Sequence, residues 1–151
     1  MLLIPDMKTI AALVDFSDVT TKVMKETEAM AKALNARVIL LHSVPKEPVV
    51  IDLGILSPTV AAVPNDRKKD ADYAKLLDLR DSLASSGVDV AVQQLEDGES
   101  ESILAQCDQM KADMVIVGAH HHSGFYKWLI GTCTTQVLHR ARCPVLVVPA
   151  D

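Results

Sequence analysis

"MVIVGAHHHSGFYKWLIGTCTTQVLHRARCPVLVVP", Met114 to Pro149, holds the pattern that decides the fold. Its two ends, Met114–Val117 and Val145–Val148, are apolar at every position. A strand with one wet face alternates apolar and polar residues, whereas a parallel strand covered on both faces does not. The chain between the two runs is long enough for a crossover carrying a helix. That helix is expected from Gly131-Thr132 to about Arg140, with Val137 and Leu138 facing in.

The same logic extends towards the N-terminus. Ile10–Val14 and Val38–Leu41 are again apolar runs of strand length, while "VDVAVQQL" (Val88–Leu95) alternates, with Val88, Val90 and Val92 on one side. Alternation marks that segment as an edge strand. Between the strands, Val19, Val23, Thr27, Met30 and Leu34 recur at helical spacing behind Ser17, a residue type suited to an N-cap. A second helix is expected over Arg67–Ser86, with Tyr73, Leu76, Leu77, Leu83 and Ala84 on one stripe and a stop near Gly87. A third covers Glu99–Met110, turning Ile103, Leu104, Cys107 and Met110 inward. The alternation predicts an α/β fold: a doubly wound sheet of five parallel strands with helices on both faces. Residues 1–151 read as one domain, a length that supports one sizeable core. Val44–Asp66, with Pro45, Gly54, Pro58 and Pro64, reads as a long irregular connection, a lid or a disordered segment.

Composition narrows the functional classes. Aromatic residues make up only 3% against 49% hydrophobic residues overall, so the core must be aliphatic. A net charge of -5 and the absence of any Lys/Arg cluster disfavour a nucleic-acid partner. No apolar run reaches transmembrane length, and the N-terminus lacks a signal-peptide pattern. Cys107, Cys133 and Cys143 are odd in number and show no CxxC spacing, which fits reduced thiols and a cytoplasmic setting.

Sheets of this type bind ligands beyond the carboxyl ends of their strands, where strand order reverses. That rule points to Asp15, Ser43-Val44 and Gly118 onward. Gly131-Thr132 would open a helix whose free N–H groups and macrodipole attract phosphate, with Thr132 and Thr134 adding hydroxyls. The plainer reading is that Gly118 ends a strand and Thr132 caps its own helix. Asp15, in "LVDFSD", either meets a ligand or accepts N–H groups at the start of the first helix. His120, His121 and His122 are adjacent and point in different directions, which does not suit a tetrahedral metal site. One imidazole could bond a phosphate; otherwise these are solvated loop residues. Cys133 sits where a helix dipole can lower a thiol pKa, yet it reads equally as a small packed residue. There is no GxxxxGK[ST], GxGxxG after a strand, or GxSxG.

These segments resemble the universal stress protein family. Its nucleotide-binding branch carries G-x2-G-x9-G-[ST], matched here by Gly118 and Gly131-Thr132, with His121 in place of the second glycine. "LVDFSD", "VILLHSV" and "RCPVLVVP" resemble the family's first, second and closing strands. The resemblance implies strand order 3-2-1-4-5, as in the wider adenine-nucleotide α-hydrolase-like group. It implies an ATP site with Val14, Asp15 and Ser43 at the base. Gly118, His120, His121 and His122 would then line the ribose–phosphate loop, and Gly131, Thr132, Cys133 and Thr134 would bind phosphates. Mg2+ would be held through those phosphates, and a homodimer would form through the C-terminal strand. The expected function is a regulatory stress-response module with slow hydrolysis at most, since no base is placed to activate water. The alternative is a homodimeric interaction protein of the same fold, in which His121 marks a lost nucleotide site.

Overall fold

A computed structural model of the chain describes residues 8–44, 47–51, 59–63, 66–96, 100–119 and 137–150. The elements run β1 (Thr9–Leu13), α1 (Thr20–Leu34), β2 (Arg37–Ser43), β3 (Glu47–Ile51), β4 (Thr59–Val63), α2 (Asp66–Ser85), β5 (Val90–Leu95), α3 (Ser100–Gln109), β6 (Met114–Gly118) and β7 (Val145–Val148). The main sheet has the order β5-β2-β1-β6-β7, and every pairing in it is parallel. Numbered within that sheet alone, the order is 3-2-1-4-5, as expected. From β1 the chain builds outward to β2 and β5, then returns to the other side of β1 with β6. The reversal therefore falls between β1 and β6. Asp113 fixes their starts: its carboxylate accepts the N–H groups of Lys8 and Thr9, each at 2.9 Å.

Unbroken apolar runs make two cores because successive strand side chains point to opposite faces. Ile10, Ala12, Val38, Leu40 and Ile116 join residues of α1 and α2 on one face. Ala11, Leu41, Val115 and Val117 join Ile103 and Cys107 of α3, and Val137, on the other. Each large aliphatic side chain buried this way contributes about 1.5–3 kcal/mol. β5 lies at the sheet edge, as its alternation requires, and Val88, Val90 and Val92 all turn to the first core.

Four expectations are corrected. The Val44–Asp66 connection contains an antiparallel hairpin, β3 against β4, in register from Glu47↔Val63 to Ile51↔Thr59. Pro48 is tolerated because each strand of a two-stranded ribbon has one unpaired edge. Val19, not Ser17, occupies the N-cap of α1 and, having no side-chain acceptor, gives no side-chain cap; the Ser17 hydroxyl donates to Asp15 instead. In α2 the inward stripe is Asp72, Leu76, Leu79 and Leu83, while Tyr73 and Ala84 are exposed. The helix is rotated to bring Asp72 onto the sheet. Residues 137–140 are helical and Val137 is fully buried, but Leu138 is 39% exposed.

Candidate functional site

The carboxyl ends of β1, β2 and β6 surround a cavity of about 340 Å³. Val14 and Asp15 follow β1 into its wall, Ser43 ends β2, and Gly118 ends β6. Four of the expected site residues thus meet where the strand order reverses. His120, His121, His122, Gly131, Thr132, Cys133 and Thr134 lie outside the described residues.

The four differ in their local contacts. Asp15 Oδ1 accepts the Ser17 N–H at 3.1 Å and the Ser17 hydroxyl at 2.6 Å, so one oxygen organises the turn into α1. Val14 donates its N–H to Leu41 O at 3.0 Å, and its carbonyl lies 2.7 Å from His42 Nδ1. Both its backbone groups are engaged, which leaves its side chain as cavity wall. At Gly118 an added Cβ would stand 2.5 Å from Val19 Cγ1. The glycine there lets α1 pack closely on β6, a structural demand that exists before any ligand arrives. Ser43 Oγ is buried and has no hydrogen-bond partner among the described residues.

Sequence reasoning missed a polar cluster in the same wall. His42, 5% exposed, points from β2 towards α2, where its Nε2 lies 3.1 Å from Asp72 Oδ2. Asp72 is itself 6% exposed and also lines the cavity. Both ring nitrogens therefore face oxygen acceptors, Val14 O and the Asp72 carboxyl. Phe16 covers the ring, with centroids 4.6 Å apart and planes at 55°. Its φ of 59° is rare for a bulky residue, and such strain concentrates where a fold holds a functional edge. Lys75 Nζ sits 5.5 Å above the Phe16 ring and 3.8 Å from Asp72 Oδ1. Thr20, the first residue of α1, lines the cavity too, and its buried Oγ1 has no partner among the described residues. The central contact leaves no local sequence signal, since thirty residues separate His42 from Asp72.

Other chemistries find less here. Among the described residues no group of three or more His, Cys, Asp or Glu side chains converges as a metal site would require. Cys107 is buried, and burial pushes the Cys143 thiol up, with Asp108 and Asp113 adding to the effect. Neither matches the electropositive, accessible setting of a reactive thiol. Among the described residues no helix is long and apolar enough to cross a membrane.

The sheet order, the cavity at its reversal and the strand-closing Gly118 agree with the family model that describes the universal stress protein family, which matches residues 7–149. The chain belongs to the universal stress protein family. Universal stress protein MJ0531 of Methanocaldococcus jannaschii is 26% identical over 141 residues, covering 93% of this chain and 81% of that one. A solved universal stress protein in complex with cAMP superimposes with a TM-score of 0.71 at 20% identity, covering 97% of this chain and 99% of that one. Another, from Archaeoglobus fulgidus in complex with dAMP, gives a TM-score of 0.68 at 17% identity, covering 94% and 97%. At those identities the likeness of the two structures is one of fold.

Proposed function

We propose that this universal stress protein binds an adenine nucleotide, ATP with Mg2+ held through its phosphates, and acts as a regulatory stress-response module. The observation that carries the reading is the pair of buried hydroxyls, Thr20 Oγ1 and Ser43 Oγ, without a partner among the described residues, in the wall of the cavity at the strand reversal. A buried hydroxyl without a partner costs free energy, about 1–3 kcal/mol, so a bound polar ligand is the natural source of the missing bonds. Rotation about χ1 brings either hydroxyl to a ligand without breaking an existing hydrogen bond. The fold neighbours bound to cAMP and dAMP support an adenine-bearing ligand.

In this reading Val14 supplies wall, and Asp15 and Ser43 stand at the base. Gly118, His120, His121 and His122 follow the ribose and phosphates, and Gly131, Thr132, Cys133 and Thr134 donate to phosphate. Hydrolysis is slow at most, the chain acts as one domain in the cytoplasm, and nucleotide occupancy is read through the β3–β4 hairpin or a homodimer. The dimer forms through β7, which ends the sheet with an open edge. Carbonyls of Pro144 and Val148 face β6, so by strand alternation the backbone of Val145 and Val147 faces that open edge. Calorimetric titration with Mg-ATP tests the nucleotide reading. Saturable binding is expected, and Gly131→Val should abolish it. A dimer that gives no heat at millimolar Mg-ATP favours the second reading, an interaction protein, for which the side chain of His121 at a motif glycine is the supporting feature.

A further inference from the structure

We infer that Asp72, positioned by His42, is a further residue that reads the ligand's base beside Asp15 and Ser43, taking an N–H of the exocyclic amino group of adenine on Oδ1, the carboxyl oxygen that His42 leaves open. The inference rests on the adenine-nucleotide reading above and adds a residue outside every motif in this chain. Asp72 is only 6% exposed, and its helix is turned so that this carboxyl, not an aliphatic side chain, meets the sheet at that turn. A buried carboxyl in a cavity wall persists when it is paired and hydrogen-bonded. Oδ2 is paired, to His42 Nε2 at 3.1 Å. Oδ1 is held more loosely, in an ion pair with the exposed Lys75 Nζ at 3.8 Å, and among the described residues it accepts no hydrogen bond. With Oδ2 facing the imidazole, Oδ1 keeps its acceptor lone pairs towards the cavity.

The geometry of the supports favours a fixed recognition role over a merely structural one. His42 is held from both sides, by Val14 O at 2.7 Å and by the Phe16 ring, so the carboxyl it bonds has little freedom. Asp15, by contrast, is exposed and has Oδ1 engaged by Ser17. Of the two aspartates in the wall, Asp72 is the more buried, and a hydrogen bond discriminates more where less water competes.

The test compares ATP with purine riboside 5′-triphosphate, which lacks only the 6-amino group, by calorimetry on wild type, Asp72→Ala and Asp72→Asn. Wild type should prefer ATP by about 10- to 100-fold, the range for a hydrogen bond to a charged acceptor. Asp72→Ala should bring the two Kd values within about threefold. Asp72→Asn keeps an acceptor without the charge, so its preference should be intermediate. If Asp72→Ala does not fold, Asp72→Asn carries the comparison: a preference at least about threefold below wild type is expected. A wild-type preference that persists in the variants overturns the role of Asp72 while leaving nucleotide binding intact. Equal affinities in wild type overturn it as well. A wild type that binds neither triphosphate overturns the nucleotide reading itself, and Asp72's role with it.

Discussion

Gly118, Thr20 and Asp72 show three ways in which single residues shape this site. Gly118 looked like a ligand-binding glycine, and its structural demand is the 2.5 Å approach of Val19 Cγ1 to a Cβ it lacks. Gly118→Ala should therefore destabilise the protein by about 1–3 kcal/mol, the usual cost of overpacking. Adding Val19→Ala should recover part of that loss in denaturant unfolding; strictly additive losses would show that the contact is not limiting. Thr20→Val removes a buried hydroxyl without changing shape. The ligand-free protein should gain up to about 1 kcal/mol, while affinity for ATP should fall about two- to tenfold. Stability and affinity moving in opposite directions is the mark of a ligand group; a variant with unchanged affinity would leave Thr20 as an unfilled core residue. In the sequence His42 stands inside an apolar strand segment and Asp72 inside a polar stretch of helix. Their pairing crosses from strand to helix, and sequence carries no local trace of it.

Among the elements, the central strands were legible because Ile10, Ala11 and Ala12, or Val115, Ile116 and Val117, are buried on both faces and admit no polar residue. The hairpin was not. Pro45, Pro48, Pro58, Pro64 and Gly54 mark turns more strongly than Val49-Val50-Ile51 and Val60 mark strands, so the segment reads as irregular. The face of α2 was misread for a related reason: an aspartate counts as solvent-facing until its buried partner is known. A two-stranded ribbon is marginal by itself. Amides of β3 and β4 should exchange faster than those of β1 and β6, and Mg-ATP should slow them if the hairpin reports occupancy. Identical exchange with and without nucleotide would remove the hairpin from the signal. At the end of α1, Asn35 adopts φ 49° and ψ 45°, and its N–H reaches Ala31 O and Lys32 O. Glycine fits that left-handed cap at least as well, so Asn35→Gly should lie within about 0.5 kcal/mol of wild type and Asn35→Val about 1–2 kcal/mol below it. Equal thermal midpoints for the two would show that the cap is not under strain.

For the whole molecule, the sheet order and the cavity at its reversal follow from which runs alternate and which do not. The family is also legible, from Gly118, Gly131-Thr132 and the three strand segments that accompany them. The proposed dimer places its seam on β7. Val147→Pro removes an N–H from the open edge of β7 and leaves the bonds to β6 in place. Sedimentation should find the wild type dimeric and the variant monomeric and folded; a variant that stays dimeric would move the interface elsewhere.

The central claim is that the cavity between β1, β2 and β6 is a nucleotide site. The most direct test denatures freshly purified protein, with no nucleotide added, and identifies the released small molecule by mass spectrometry. The account predicts an adenine nucleotide at close to one per chain, and its absence from Gly131→Val prepared in the same way. An empty wild type that also gives no calorimetric response to Mg-ATP would contradict it, leaving the unpartnered hydroxyls of Thr20 and Ser43 without a ligand to explain them.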